Sequence, residues 1–290
     1  MKAPLHRIAS RLYGEPWLIR RDKYNSLVTQ YQRHAEARSP LLRITGNRAP
    51  NNLSTVSSRE SSKACLDGLE MQNGIAIVPV DGILGKNIST MESLCGGYDI
   101  NTLANQAIAL RARSDIHSVI VHLNTPGGAA AGVADCAKVV MELGEEKRVI
   151  AYADDACSGG FWLACAASEI FCGESAMVGS ISAICAIDDV SAMYEEAGIK
   201  TEVFTDGTLK GAGVPGTSLS DAQRKDIQGR IEHIGGMFKT FVTKRRPAVS
   251  KEAMQGQWFY GDAALALGLV DDLAPSLEHV IAYVMATTAD

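Results

Sequence analysis

Short apolar runs alternate with longer amphipathic stretches from about residue 74 onward. The apolar runs, rich in Val, Ile and Ala, predict strands at 75–80, 119–123, 149–153, 169–172 and 200–205. Helical patterns lie between them near 100–113, 132–146, 159–167 and 189–197. Strands separated by helices pair in parallel and carry the helices on the faces of their sheet. The pattern therefore predicts an α/β fold.

Changes in composition and helix capping signals indicate how the rest of the chain is divided. Residues 1–40 are polar and partly helical in pattern, and 43–63 are rich in Asn, Ser, Thr and Arg. We therefore predict a helical extension and flexible linker over 1–70, followed by one compact domain over 71–290. Ser220 and Gln223 form a capping-box pattern that opens a long helix ending near residue 246. A short helix stopped by Gly268, with a last strand after it, is predicted over 261–271.

Composition and charge narrow the class of partner. The chain has 290 residues, 46% of them hydrophobic, so it can bury one substantial core. Its net charge is −5, and the basic residues are scattered apart from a Lys-Arg-Arg triplet at 244–246. That triplet closes the long helix, where positive charge interacts favourably with the helix dipole. No apolar stretch approaches the roughly 18 residues of a membrane span. We expect neither nucleic acid nor membrane as a partner.

Cysteine usage gives no sign of a metal or disulfide framework. The seven cysteines include no C-x-x-C pair, and no histidine stands near one at the spacing of a zinc site. An odd number of thiols, most with apolar neighbours, is typical of a reducing compartment. We expect a soluble protein without metal or cofactor.

Candidate catalytic residues lie where three predicted strands end in small residues. Ser158 stands in a Ser-Gly-Gly sequence after one strand, Lys210 follows another, and Pro126-Gly127-Gly128 follows a third. A serine hydroxyl needs a base, and a lysine is a base only where its surroundings lower its pKa. Glycine N–H groups can stabilise the oxyanion of acyl transfer. Taken singly, each motif is also compatible with a plain turn or a solvated lysine.

Three other motifs suggest different chemistry, but the sequence supports each of them less well. Residues 211–216 match G-x-G-x-x-G, but Pro215 and the helix start at Ser220 place the helix too late for a dinucleotide site. His122 could join a Ser-His-Asp triad, yet it lies within a predicted buried strand and is interpreted as a core histidine. Cys157 adjoins Ser158 but has no assigned base.

The ordered motifs between residues 74 and 273 resemble the S49 serine peptidases, the family of signal peptide peptidase A and the capsid maturation proteases of tailed phages. The segments that carry the resemblance are 80–83, 123–128, 157–161, 176–181, 197–210, 238–246 and 261–271. The resemblance implies a Clp protease/crotonase-like spiral of βαβ units. It also implies Ser158 as nucleophile, Lys210 as general base, and Gly127 and Gly128 as oxyanion donors. Ser180 is a candidate for orienting the lysine, and homo-oligomers are usual in the family.

The sequence therefore predicts a soluble serine endopeptidase with a Ser-Lys dyad. Its expected substrates are phage or prophage head proteins, with scaffold or portal protein as candidates, in the cytoplasm or the phage prohead. The dyad could form within one subunit or between two. Two alternatives stay open on the same fold. One is a crotonase-like acyl-CoA enzyme that uses the glycine donors without Ser158, and the other is a non-catalytic capsid assembly protein.

Overall fold

The structure, a computed structural model, describes residues 16–36 and 65–288. Within these ranges the strands, in chain order, are β1 (Trp17–Ile19), β2 (Glu70–Gln72), β3 (Ile75–Asp81), β4 (Ile83–Gly85), β5 (Gly97–Asp99), β6 (Ser118–Thr125), β7 (Gly127–Ala129), β8 (Arg148–Cys157), β9 (Glu169–Gly179), β10 (Trp258–Tyr260) and β11 (Asp272–Leu273). The helices are α1 (Arg21–Glu36), α2 (Thr90–Leu94), α3 (Ile100–Arg111), α4 (Val133–Gly144), α5 (Gly159–Ala164), α6 (Ser191–Glu196), α7 (Asp221–Arg245), α8 (Gly261–Ala266) and α9 (Leu277–Thr288).

The main sheet has the strand order β10-β9-β8-β6-β3-β2, and β11 pairs with β9. Its central strands β3, β6, β8 and β9 are parallel, and helices connect them. Both faces of these strands are covered, which is why their sequences are continuous apolar runs rather than alternating ones. This is the α/β spiral of βαβ units that the family resemblance implies.

The two faces of the main sheet pack against different layers. One face and its helices form the larger core, which includes Val78, Leu123, Phe161 and Phe238. On the other face, Ile77, Ile120 and Ile150 pack with apolar side chains of α9. The C-terminal helix therefore closes the second face of the sheet.

A second, smaller sheet has the order β1-β7-β4-β5. Its strand β7 contains Gly127 and Gly128, and it follows β6 after the single residue Pro126. β4 pairs with β7 in parallel, and β1 pairs with it from the other side in antiparallel orientation. The candidate oxyanion segment is therefore the central part of this sheet.

Four of the five predicted strands are confirmed as β3, β6, β8 and β9, and all four predicted connecting helices are present. The capping box of α7 is also confirmed, because the Ser220 side chain accepts from the Gln223 N–H and the Gln223 side chain from the Ser220 N–H. The strand predicted at 200–205 is wrong. That segment is irregular and mostly exposed, and no strand of the described chain pairs with it.

The linker predicted over 43–63 lies outside the described residues, and the boundary at residue 70 stays a prediction. The N-terminal part is not all separate from the core, because β1 is buried in the smaller sheet. Across the described ranges, none of the helices combines the length and the apolar character that a membrane crossing requires.

Candidate active site

Ser158 lies in a strained turn between β8 and α5. Its φ is 54° and its ψ is −115°, a region that non-glycine residues rarely adopt. Backbone hydrogen bonds hold the turn, because the Ser158 N–H donates to the Gly179 carbonyl at 2.7 Å and the Trp162 N–H donates to the Ser158 carbonyl at 3.0 Å. A sharp strand-to-helix turn with a strained serine is the arrangement of a nucleophile elbow.

The glycines after Ser158 are required by close packing. A Cβ at Gly160 would collide with the methyl group of Thr125, and one at Gly159 would lie 3.3 Å from atoms of Leu18 and Leu84. Ser158 itself is only 1% exposed. Its hydroxyl lies 3.5 Å from the Ser182 carbonyl oxygen, the outer limit of a hydrogen bond. The hydroxyl is thus held in place without a strong competing partner.

Gly127 and Gly128 are buried beside this turn. Gly127 has φ +95°, and a Cβ there would collide with the Leu18 carbonyl and lie 2.9 Å from the Cys157 carbonyl oxygen. Its N–H donates to the Thr125 hydroxyl at 3.2 Å. A Cβ at Gly128 would collide with the backbone of Leu84. The structure therefore brings the two predicted oxyanion glycines next to the predicted nucleophile, because the parallel strands β6 and β8 end at the same edge of the main sheet.

Lys210 lies in a different environment from Ser158. It is exposed, and it belongs to a turn in which its N–H donates to the Gly207 carbonyl at 3.0 Å. Over the described part of the chain, its ammonium group has neither a hydrogen bond nor an ion pair with Ser158. A single chain thus leaves the predicted base in an exposed loop, and the role of Lys210 stays a prediction.

The predicted lysine-orienting residue, Ser180, follows the end of β9. It is buried and has φ 53°, its N–H donates to the Gln257 carbonyl at 2.8 Å, and its hydroxyl donates to the Gly256 carbonyl at 3.4 Å. The hydroxyl is therefore directed to the loop before β10. No hydrogen bond joins it to Lys210 among the residues that the structure describes, so this role also stays a prediction.

Cys157 does not compete with Ser158 as a nucleophile. Its side chain is fully buried, and its thiol donates to the Met177 carbonyl at 3.4 Å. Burial raises the pKa of the Cys157 thiol to about 12, although the charge of Arg20 opposes the shift. The thiolate needed for attack is therefore disfavoured at neutral pH.

His122 is not the core histidine that the sequence predicts. Its side chain is 25% exposed, and its Nε2 lies 2.7 Å from Asp154 Oδ2. The ring also packs against Tyr152, with centroids 5.5 Å apart. The prediction is wrong because β6 exposes this position to solvent beside an acidic residue of β8. The expectation that His122 does not act on Ser158 agrees with this separate pairing.

The basic triplet at 244–246 contacts the segment that follows α5, the helix that begins after Ser158. The Arg245 guanidinium donates to the carbonyls of Cys165 and Ala167, which follow α5, at 2.9 and 2.7 Å. Arg246 forms a two-pronged ion pair with Asp271 at 2.8 and 2.7 Å. Two of the three cations thus have structural partners.

Sequence reasoning missed β1 as a neighbour of the site. Leu18 is fully buried against Gly127 and Gly159, and Trp17 pairs with Ile184 on its other edge. The available signal was the apolar triplet Trp-Leu-Ile after Pro16, within a polar stretch. Three residues are too few for a period to be recognised.

An open cleft of about 630 Å³ is lined by Ser182, whose carbonyl oxygen lies 3.5 Å from the buried Ser158 hydroxyl. One wall is the segment after β9 and the other is the middle of α7. Its lining includes Ser182, Ala183, Ile184, Ile227, Ile231 and Lys239. The cleft is lined by apolar and polar side chains together, the polar ones including Gln228 and Glu232, which suits part of a peptide side chain or backbone.

Comparison with known proteins gives one family and several relatives. The profile of peptidase family S49 matches residues 142–289. Capsid assembly protease C of Escherichia phage lambda is 28% identical over 214 residues, which are 73% of this chain and 49% of that protein. Head-tail preconnector protein GP5 of Enterobacteria phage P21 is 32% identical over 222 residues, 74% of this chain and 43% of that protein. The chain thus spans less than half the length of these two relatives.

Two solved structures share a similar chain course at low sequence identity. An enoyl-CoA hydratase/isomerase from Marinobacter aquaeolei has a TM-score of 0.44 at 14% identity, covering 76% of this chain and 74% of that chain. A ClpP1 mutant from Listeria monocytogenes has a TM-score of 0.44 at 10% identity, covering 70% of this chain and 94% of that chain.

Proposed function

The chain belongs to peptidase family S49, whose profile matches residues 142–289, just over half of its length, and on that premise we propose that it is a serine endopeptidase with a Ser-Lys dyad. The family resemblance of the sequence motifs is thereby confirmed. One observation carries the choice of nucleophile: Ser158 is held at φ 54° between β8 and a helix, next to Gly127 and Gly128. Strain of this kind costs on the order of 1–3 kcal/mol, and it is retained where function needs it.

In the proposed reaction, Lys210 accepts the proton of the Ser158 hydroxyl as the serine oxygen attacks a peptide carbonyl carbon. The carbonyl oxygen becomes an oxyanion that backbone N–H groups at Gly127 and Gly128 stabilise. Collapse of this intermediate breaks the C–N bond, and Lys210 returns the proton to the departing amine. Water then hydrolyses the acyl-enzyme with the same base. Ser180 is proposed to orient the lysine.

We place the proposed dyad between subunits of a homo-oligomer. The loop that carries Lys210 is exposed and has large apolar side chains that a neighbouring copy could cover, namely Ile199, Val203, Phe204 and Leu209. Phe204 is 89% exposed, which is unfavourable for a side chain in water. A base supplied by a second copy would explain why the described part of one chain has no hydrogen bond between Ser158 and Lys210.

The proposed substrates are phage or prophage head proteins, and portal and scaffold proteins are the candidates. The printed names of the relatives in phages lambda and P21, a capsid assembly protease and a head-tail preconnector protein, support this setting. The acyl-CoA alternative would need a carboxylate at the cleft. The cleft lining includes one carboxylate, that of Glu232 in α7, so calorimetric binding of a CoA thioester would separate this alternative from the peptidase.

Mixing two inactive variants tests the dyad and its location together. Ser158→Ala and Lys210→Ala should each abolish hydrolysis of fluorescein-labelled casein, whereas Lys200→Ala, in the same exposed region, should keep the parent rate. A mixture of the two inactive variants should regain a substantial part of the activity, because some sites combine an intact Ser158 with an intact Lys210. Full activity of either single variant would refute the dyad. Failure of the mixture would place the dyad within one subunit.

A serine-reactive fluorophosphonate distinguishes the peptidase from a non-catalytic assembly protein. The assembled parent should gain one adduct by intact mass, located on Ser158 by peptide mapping. An assembled parent that gains no adduct would favour the assembly protein.

A further inference from the structure

The strand β1 lies between two chain segments that border Ser158. On one edge, Trp17 and Ile184 exchange two backbone hydrogen bonds, at 2.8 and 3.0 Å. On the other edge, β1 pairs with β7 in antiparallel register, with Leu18 opposite Gly128. The Arg20 N–H donates to the Pro126 carbonyl at 2.8 Å and the Ala130 N–H to the Pro16 carbonyl at 3.1 Å. Residues 16–20 are thus inserted as an additional strand.

The Leu18 carbonyl lies beside the proposed oxyanion donors. Its oxygen is the atom that a Cβ at Gly127 would strike, and it lies 3.3 Å from the Cβ position of Gly159, the residue after Ser158. Antiparallel hydrogen-bonded pairs alternate along a ladder, and the pairs 16/130 and 20/126 flank Leu18 and Gly128. Leu18 and Gly128 are therefore the pair that exchanges backbone hydrogen bonds. A peptide carbonyl of this chain occupies the place that a substrate carbonyl would need.

The burial of Ser158 also indicates that segments of the same chain cover the site. A nucleophile that is 1% exposed cannot be reached by a peptide until its covering segments move. Leu18 belongs to those covering segments, because it is fully buried and lies, with Leu84, against Gly159, the residue after Ser158. Extended peptides commonly bind proteins by adding a strand to a sheet edge. The edge of β7 that would receive such a peptide is the edge that β1 occupies.

Contacts beyond the strand hold β1 at both ends. Trp17 packs edge-on against Tyr24 of α1, with ring centroids 5.9 Å apart. The Arg20 guanidinium donates to Asp22 at 2.7 Å, and its Nη1 lies 3.6 Å from Asp155 of β8. Apart from the contacts of the Arg20 side chain with β8 and β9, β1 is joined only to the smaller sheet, Ile184 and α1 among the described residues. Its departure would therefore leave the ladder of the central strands β3, β6, β8 and β9 intact.

We propose that residues 16–20 are an internal occupant of the peptide-binding cleft, an autoinhibitory strand that a substrate peptide must displace. This inference rests on the proposed peptidase function for the identity of the competing ligand. The ligand class it names is an extended peptide that pairs with β7 and Ile184. Such a peptide places an aliphatic side chain next to Leu84, where Leu18 now lies.

A charge at position 18 tests the proposal in the full-length chain. Leu18→Asp places a carboxylate in a fully buried site and should expel the strand. If β1 occupies the cleft in at least nine molecules of ten, its removal should raise casein hydrolysis and fluorophosphonate labelling roughly tenfold or more. Asn25→Asp is the matched control, because it adds the same charge at an exposed position of α1. A correctly folded Leu18→Asp variant with the parent's rates would overturn the proposal.

A reversible disulfide between β1 and β7 tests the proposal if the Leu18→Asp variant fails to fold. Trp17 and Ala129 are register partners of the non-hydrogen-bonded type, whose Cα atoms lie about 4.5 Å apart. That separation suits a disulfide, so Trp17→Cys combined with Ala129→Cys should cross-link β1 to β7. The oxidised protein should hydrolyse casein at less than about a tenth of its reduced rate. Each single cysteine variant should be insensitive to oxidation. An oxidised double variant as active as its reduced form would refute displacement.

Hydrogen exchange separates this proposal from the peptidase proposal. In the Ser158→Ala variant, the Trp17 amide is protected by its bond to Ile184. The synthetic peptide Pro-Trp-Leu-Ile-Arg-Arg, the sequence of residues 16–21, should compete for the cleft at millimolar concentration and speed exchange at Trp17. Unchanged exchange would refute the proposal. If no variant hydrolyses casein, the peptidase function fails, and this measurement still decides whether β1 is displaceable.

Discussion

Two stacked rings join the nucleophile turn to the longest helix. Trp162 of α5 and Phe238 of α7 are nearly parallel, with centroids 4.7 Å apart and an interplanar angle of 3°. Phe241 adds a second ring contact to Trp162 at 6.0 Å. Because α5 begins at the residue after Ser158, this stack fixes the short helix in the core. We predict that Phe238→Ala strongly destabilises the protein.

The magnitude follows from complete burial. Phe238 is 0% exposed, and truncating a buried phenylalanine to alanine costs about 3–5 kcal/mol. The lost ring pairing accounts for about 0.5–1.5 kcal/mol of that cost. At about 2–4 °C for each kcal/mol in a chain of this size class, the Tm should fall by roughly 6–20 °C.

Thermal unfolding followed by circular dichroism measures the effect, and the chain supplies a matched control. Phe204→Ala removes the same atoms from a side chain that is 89% exposed, so it should change stability by less than about 0.5 kcal/mol. Parent and variants are compared at a concentration at which all elute as monomers, so that the proposed contact of Phe204 with a neighbouring copy does not contribute. A Phe238→Ala protein with the parent's Tm, or an equal loss in both variants, would show that the stack does not support the fold as argued.

Two further predictions concern titratable groups. Because burial raises the pKa of the Cys157 thiol to about 12, iodoacetamide in mildly alkaline buffer should leave native Cys157 unmodified while it alkylates the exposed Cys95, as peptide mapping can verify. Burial acts to raise the pKa of Asp271, but hydrogen bonds from Arg246 and from a backbone N–H hold it below its ordinary value of 3.8. This pairing stabilises the fold above pH 3.8 and its contribution is lost as the pH falls through the lower folded value. Asp271→Asn should therefore reduce the free energy of unfolding by about 1–3 kcal/mol at neutral pH, and urea titrations in which this difference stays constant in acid would contradict the assignment.

The central sheet was predictable because its strands are buried on both faces. Continuous apolar runs at β3, β6, β8 and β9 need no tertiary information to be recognised. The ends of β8 and β9 could not be predicted in this way. For example, polar residues such as Asp154 and Asp155 continue β8 beyond its apolar run. Neighbouring strands carry the ladder through these positions, with a register irregularity between 153 and 155.

The parts that sequence reasoning missed depend on partners far away in the chain. β7 and β1 are three residues each, and they form strands because each supplies the other's hydrogen bonds. The segment 200–205 has strand-like composition but no neighbour in the described chain to complete a ladder, so it stays irregular. Ser158 could be identified as a candidate from its glycines, whereas its positive φ is set by the Gly179 carbonyl, 21 positions along the chain.

The two residues of the proposed dyad differ in how well a single chain positions them for reaction. Ser158 is preorganised by β8, by the Gly179 carbonyl and by the stacked rings beneath α5, so its strain is already met by the fold. Lys210 lies in an exposed loop, so the proposed base depends on a second copy, and access to Ser158 depends on the departure of β1. Hydrolysis that requires both events should rise more steeply than linearly with protein concentration. Leu18→Asp should raise the rate at every concentration without changing that steepness, because the departure of β1 is a step within one chain. The two requirements together would confine a serine nucleophile to assembled protein with a peptide at hand.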